Sequence, residues 1–515
     1  MAVKLFAAIV IGSTETEMKL YDLSQRRGIR QLSCVSRRID LGIDAYDRGR
    51  LSTEKVERLV ETLKDFRRQM DGFHVDGYRM VGTSALREIR TGLITKDHIE
   101  KQTGLSLTIL SNSEQRFLDY KSIASQTDSF EEVIKSGTAI VDIGGSSVQI
   151  SVFDKDKLFT TQNIRIGKIS TQVRFHPLAR NNEHYEKILT QLMDLELTGF
   201  GKLYQKDRQI KTLIATNREL QQLFKPLAEK KASSIVSKEE FLDLYRQIVY
   251  LDPGEITTRL GVPSETARFA VSSMIICRSL LERFEADSVW LPDVSIGDGL
   301  AYDFAMQNKA IRSPHAFDED IIAASRSIAK RYKSNQAHTK MVEEISLILF
   351  DRMKKVHGMG KRERLLLQIS AILHNCGKYI SLKDVSDCAY NIIMATEIIG
   401  LSHAERQIVA NVVRFNTAAL LYFDDLNLTS TVSMEEYLVI AKLTAILRAA
   451  NALDRSHSQR ISSISVVLKG DEVVITAQSG EGLTLEKGTL EAGGNSLFEE
   501  VFNLKPVLHQ KKPVS

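Results

Sequence analysis

Two stretches of this chain, 132 residues apart, share one design. Ala8-Ile-Val-Ile-Gly-Ser-Thr14 and Ile140-Val-Asp-Ile-Gly-Gly-Ser146 each run an apolar strand into a glycine turn. Each is followed by a strand that alternates polar and apolar residues. A strand–turn–strand repeat at this distance, with strands and helices alternating between the copies, predicts two similar α/β lobes facing each other across a cleft.

The first lobe is expected over residues 1–125. It reads as a hairpin (Lys4–Ile11, Glu17–Asp22), a strand at Ser33–Leu41, and a helix at Thr53–Met70 with Ser52 as its N-cap. A strand at Gly77–Val81, a helix start at Ser84–Arg90, a strand at Leu105–Leu110 and a helix at Ser113–Ser125 complete it. The second lobe is expected over 126–310, with a long helix at Ser264–Phe284 and a Gly297-Asp-Gly299 turn leading into a closing helix. From about Pro314 six helical segments follow one another. Residues 311–505 therefore read as a helical domain, with a small β appendage at Ile461–Leu468 and Val473–Ala477. The basic end, 506–515, reads as a disordered tail.

The 515 residues carry 69 basic and 65 acidic side chains, too even a balance to call for nucleic acid. No segment reaches the roughly 18 apolar residues of a membrane span. Cys34, Cys277, Cys376 and Cys388 lack metal-ligand spacing and read as free thiols, and the start resembles no leader. The expectation is a cytoplasmic protein.

The chemistry gathers at the two turns. In Asp142–Ser147, Gly144 and Gly145 let backbone N–H groups approach an anion, and Ser146 and Ser147 add hydroxyl donors. Asp142 stands where a carboxylate can hold a divalent cation beside phosphates. The plainer reading is an ordinary glycine-rich hairpin turn. The first copy keeps Gly12, Ser13 and Thr14 as donors but has Val10 in place of the aspartate.

With Gly82-Thr-Ser-Ala-Leu-Arg-Glu88, Ser111-Asn-Ser-Glu-Gln-Arg116, Arg165-Ile-Gly-Lys168, Asp298-Gly-Leu300, Leu453-Asp-Arg-Ser-His457 and Leu497-Phe-Glu-Glu-Val-Phe502, the chain resembles the exopolyphosphatase and guanosine pentaphosphate phosphohydrolase (Ppx/GppA) family along nearly its whole length. The resemblance implies a duplicated actin/Hsp70-like, ribonuclease H-like fold. It implies hydrolysis of a phosphoanhydride in inorganic polyphosphate or guanosine pentaphosphate, inorganic polyphosphate or guanosine penta- or tetraphosphate as partner, Mg²⁺ as cofactor, and a homodimer. Both turns and Arg87 would cradle phosphates, Asp142 would hold magnesium, and a glutamate would activate water.

The carboxylates carry over incompletely. The family's catalytic glutamate falls on Gln115, its second acidic position on Gln149, and the first-turn aspartate on Val10. Glutamine can hydrogen-bond a water but cannot take its proton near neutral pH. Glu114, one position away, is the remaining candidate base, and its bland alternative is a solvated helix residue. Glu15 or Glu17 could restore a carboxylate near the first turn. Ala215-Thr-Asn217 replaces a Gly-Gly-Thr turn, and Arg268 stands where an acid is usual. The helical domain resembles an HD domain, but His338 is followed by His374-Asn375 rather than His-Asp, so packed histidines are the simpler expectation. A hydrolase, a catalytically weak phosphate-binding regulator, and a kinase or ATPase on the same fold are the competing readings. The missing Gly-Gly turn weighs against the last.

Overall fold

The computed structural model describes residues 4–24, 28–154, 157–179, 181–205, 208–313, 315–428, 431–491 and 496–512. The chain forms two units, Met1–Ala316 and Phe317–Ser515.

The first unit contains the expected duplication. One sheet has the order Gly28–Arg38, Glu15–Ser24, Lys4–Ile11, Gly77–Gly82, Leu107–Ile109. The first three strands are antiparallel neighbours, and the last two run parallel to Lys4–Ile11. The second sheet repeats this with Lys157–Ile164, Val148–Asp154, Thr138–Ile143, Thr212–Thr216 and Ser288–Trp290, and adds Ile235–Ser237 at its edge. The central strands are buried on both faces, which explains why they read as apolar runs rather than alternations. Phe6, Ala7, Ala8 and Ile9 are all buried, and Ala139, Ile140 and Val141 are their counterparts.

The long helices follow the expected periodicity. Thr53–Gly72 buries Leu59, Val60, Leu63 and Phe66. Ser264–Phe284 lies in the second-lobe core. Three local expectations change. Ser52 stands at the N-cap position without a side-chain cap bond; instead its backbone N–H donates to Asp44 Oδ2 (3.0 Å). The helix after Gly82 is only Ser84–Arg87, so Arg87 ends it rather than starting one. Gly297 and Gly299 form no turn but lie inside the helix Ile296–Gln307. That helix packs on the first sheet, sharing a core with Phe6, Ala8 and Tyr21 through Leu300, Ala301 and Ala305: Asp298 accepts from Lys19 Nζ and Tyr21 Oη, both at 2.8 Å, and Asp303 accepts from Arg79 (2.6 Å) and Lys121. A Cβ on Gly299 would lie 2.1 Å from the Leu118 carbonyl oxygen, so only glycine allows Ile296–Gln307 to cross the helix Asn112–Ala124 this closely.

The second unit is helical, with Phe317–Arg331, Gln336–Arg352, Lys361–Leu373, Val385–Ala395, His403–Phe415 and Met434–Ala452 as its main segments. Two of them open with capping boxes, Ser402 with Glu405 and Ser433 with Glu436. The β appendage has three strands rather than two. Lys505–Lys511, expected as tail, pairs in parallel with Glu472–Gln478, whose other neighbour is Ser463–Lys469. Pro506 and Leu508 are buried there, a period-two pattern hidden among basic residues. Residues 513–515, the end of the expected tail, lie outside the described residues. No helix among the described residues is long and apolar enough to cross a membrane.

Candidate functional site

A cavity of about 830 Å³ separates the lobes of the first unit, and both glycine turns line it. In the first turn the Gly12 N–H donates to the Glu15 carbonyl (2.9 Å), and a Cβ on Gly12 would strike that oxygen. In the second the Gly144 N–H donates to the Ser147 carbonyl (3.0 Å). Each turn also seats the start of a helix. The Gly42 N–H, in Leu41–Arg48, donates to the Ser13 carbonyl, while those of Ile169 and Ser170, in Lys168–Phe175, donate to that of Gly145. Gly167 makes the second seat possible, because a Cβ there would overlap the Gly145 carbonyl. This is the physical reason for the glycine in Arg165-Ile-Gly-Lys168.

The turns face each other closely. A Cβ on Gly145 would come within 2.9 Å of Ser13 Oγ and of Tyr46 Oη. Ser13, Tyr46 and Ser84 form a hydroxyl cluster, with Ser13 Oγ to Tyr46 Oη at 2.6 Å and Tyr46 Oη to Ser84 Oγ at 2.7 Å. Burial pushes the Tyr46 phenol up to about 12, so it stays a donor. Ser146 crosses between the lobes by donating to Glu88 Oε1, which gives the last residue of Thr-Ser-Ala-Leu-Arg-Glu a structural use. Ser147 is buried and contributes its carbonyl to the turn.

Asp142 stands one residue before the end of its strand at the cleft wall, paired in register with Gln149. Gln115 sits between charges: its Nε2 donates to Asp142 Oδ2 (3.1 Å), and its Oε1 accepts from Arg87 (3.3 Å). Arg87 also donates to the Leu110 carbonyl (2.7 Å), so it reaches the cleft through Gln115. Gln149 Oε1 accepts from Arg116 Nε (3.1 Å), out of water. Glu114 is turned to its own helix end, where its Oε2 accepts from the N–H (2.9 Å) and hydroxyl (2.7 Å) of Ser111 in a capping box. Val10 lines the cavity without a polar atom to offer. Glu15 and Glu17 line it as well. Glu15 pairs with Arg218 from the opposite lobe, and Glu17 lies 3.8 Å from Lys19 Nζ.

Sequence reasoning missed Asp119, which also lines the cavity. It lies one helical turn beyond Gln115, on the same face, and that four-residue step was the available signal. Burial, then the facing Asp142 carboxyl, pushes Asp119 well above the usual carboxylate range. Burial also raises Asp142, although Lys168, Gln115, Arg116 and Arg87 oppose the rise. Asn217, where a Gly-Gly-Thr turn was expected, caps the helix Arg218–Lys231 through the Leu220 N–H and donates to the Ile143 carbonyl (3.1 Å). Arg268 pairs with Asp40 at 3.7 Å. Trp290 donates its indole N–H to Ser234 Oγ (3.0 Å), and Ser234 and Leu291 line the cavity.

In the second unit, His338 and His374 do meet. Asp454, from Leu-Asp-Arg-Ser-His, accepts from His338 Nδ1 (2.7 Å), and the Nε2 atoms of His338 and His374 share a proton at 3.1 Å. The His457 ring stacks on His338 with centroids 3.6 Å apart. The ring nitrogens of His338 and His374 therefore already have partners. Among the described residues, no group of three or more His, Cys, Asp or Glu side chains is placed to hold a metal ion by itself.

Comparison with known proteins gives the same family over both units. The Ppx/GppA phosphatase family profile matches residues 24–308, and that of Ppx/GppA phosphatase domain III matches 322–492. The chain is 19% identical over 475 residues to a guanosine-5'-triphosphate,3'-diphosphate pyrophosphatase of Photobacterium profundum, covering 92% of this chain and 91% of that one. It is 22% identical over 480 residues to the protein of that name from Aeromonas hydrophila, covering 92% and 93%. In fold it is similar to an exopolyphosphatase from Cytophaga hutchinsonii (TM-score 0.54, 19% identity, 59% of this chain and 98% of that one) and to the Aquifex aeolicus Ppx/GppA family member (TM-score 0.51, 16% identity, 61% and 100%). With its duplicated actin-like α/β module and helical C-terminal region, this chain belongs to the Ppx/GppA phosphatase family.

Proposed function

We propose that the cleft binds the phosphate chain of inorganic polyphosphate or guanosine pentaphosphate and hydrolyses its terminal phosphoanhydride at a reduced rate. The observation that carries this reading is the meeting of two glycine turns from opposite lobes at one cavity, with Asp142 at its wall. The names of the relatives, pyrophosphatases of a guanosine pentaphosphate and an exopolyphosphatase, support the substrate class.

The protein's own groups supply binding and orientation. The backbone N–H groups of Ser13, Thr14 and Gly145 and the hydroxyls of Ser13 and Thr14 would face phosphate oxygens, while the Gly12 and Gly144 N–H groups close their own turns. Magnesium fits beside Asp142, whose carboxyl faces the cavity with a single amide donor, and when bound it would spread the phosphate charge. Gln115 can orient a water through its amide but cannot accept its proton, which removes roughly 10²–10⁴-fold of rate. The same glutamine favours the second reading, a regulator that binds without turnover, because it bridges Arg87 and Asp142 through an uncharged amide that cannot act as a base.

Pure protein is incubated with long-chain polyphosphate or guanosine pentaphosphate and Mg²⁺, and released phosphate is measured beside direct binding. Slow release above background is expected. Background release with binding retained would replace the hydrolase with the regulator.

A further inference from the structure

The helix Asn112–Ala124 presents two residues to the cavity, Gln115 and, one turn on, Asp119. Asp119 is 4% exposed, and its Oδ2 meets no donor among the described residues. The group facing it is the carboxyl of Asp142. Cations lie nearby, and Arg116 opposes the rise of Asp119 while Lys168, Arg116 and Arg87 oppose that of Asp142, yet burial prevails at both. Lys168 Nζ donates to Glu219, and Arg116 donates to Gln149 and, at 3.4 Å, to the Gln162 carbonyl. Arg87 donates to Leu110 and Gln115. Two carboxyl groups facing each other out of water need positive charge between them, a proton or a cation.

The position of the pair decides which. It lies at the wall of a cavity lined by both glycine turns, where a cation would face the carboxylates on one side and phosphate oxygens on the other. Mg²⁺ is held in this way, by one or two carboxylates completed by water and substrate phosphates, rather than by a closed protein cage.

We propose that Asp119 and Asp142 together form a divalent-cation site, with Asp119 supplying from one helical turn further along the carboxylate that Gln115 lacks. This rests on the reading of the cleft as a phosphate site and extends it by giving the cation a second carboxylate, from Asp119.

The test is metal binding by the full-length protein without substrate. Mn²⁺ alone is titrated, and free Mn²⁺ is followed by electron paramagnetic resonance. The wild type is expected to bind one Mn²⁺ per chain, with Asp119→Asn and Asp142→Asn each weakening binding at least tenfold. Without metal, Asp119→Asn should melt no lower than the wild type, because it removes one of two facing carboxyls, and it should lose the upward shift that Mn²⁺ gives. Asp119→Ser serves if the asparagine variant does not fold. Wild-type affinity in Asp119→Asn, or no binding by the wild type, overturns the proposal and leaves Arg116 as the counter-charge. Phosphate release is assayed in parallel: binding through both aspartates without turnover would sink the hydrolase and leave the cation site standing.

Discussion

At the residue scale, the two glutamines differ in what they would tolerate. Gln149 accepts from the buried Arg116, so a glutamate there would convert that hydrogen bond into a buried ion pair. Gln115 stands between Arg87 and Asp142, so a glutamate would gain an arginine partner on one side and face a carboxylate on the other. Magnesium would relieve that second contact. Gln115→Glu combined with Gln149→Glu should raise Mg²⁺-dependent phosphate release by about 10²-fold or more, the usual size of a general-base contribution. No gain would mean that the cleft has lost more than its base. The sequence gives each glutamine's place by its distance from a turn or motif. It cannot show that Glu114 is spent on capping Ser111, because the same Ser-x-x-Glu spacing suits a cap and a neighbour of the site. Asp119 was legible only as a helix position; its meaning comes from Asp142, which another lobe supplies.

At the scale of elements, apolar runs and helical periodicity locate most strands and long helices, because burial by one sheet or one helix face is a local pattern. What they miss depends on partners distant in the chain. Lys505–Lys511 looks like a tail until Glu472–Gln478 pairs with it, and Gly299 looks like a turn residue until Leu118 crosses it. The Gly299 contact carries a prediction, since the crossed helix holds both Gln115 and Asp119. In Gly299→Ala the new methyl has to displace backbone rather than a flexible side chain. The variant should lose about 1–3 kcal/mol in thermal or urea unfolding. It should also bind polyphosphate more weakly than the wild type at a temperature where both are folded.

For the whole molecule, the duplication explains why one cleft receives two phosphate turns: each lobe contributes its copy, and Ser146 to Glu88 and Arg218 to Glu15 link the lobes across it. The helical unit has its own sensitivity to acid. Burial, then the neighbouring His338, depresses His374 to about 3, and burial, then His338, depresses His457 to about 4. Both stay neutral in the folded unit and take up protons more readily when it unfolds, near pH 6.5. Their contribution to stability is complete above about pH 6.5 and is lost as pH falls from there toward 4 and below, on the order of a few kcal/mol for His374. Hydrogen exchange in residues 317–515 should therefore accelerate between pH 7 and 5 relative to intrinsic exchange, and His374→Gln should flatten that dependence.

Trp290 is the only tryptophan in the chain, and it is hydrogen-bonded to a serine that lines the cleft. The molecule thus carries one optical gauge beside its own cavity, free of background from any other indole. Adding polyphosphate to the unlabelled protein should change the emission in a single saturable step, and a flat trace with binding shown by other means would place the ligand away from that wall. Occupancy could then be followed in light even if no phosphate is released.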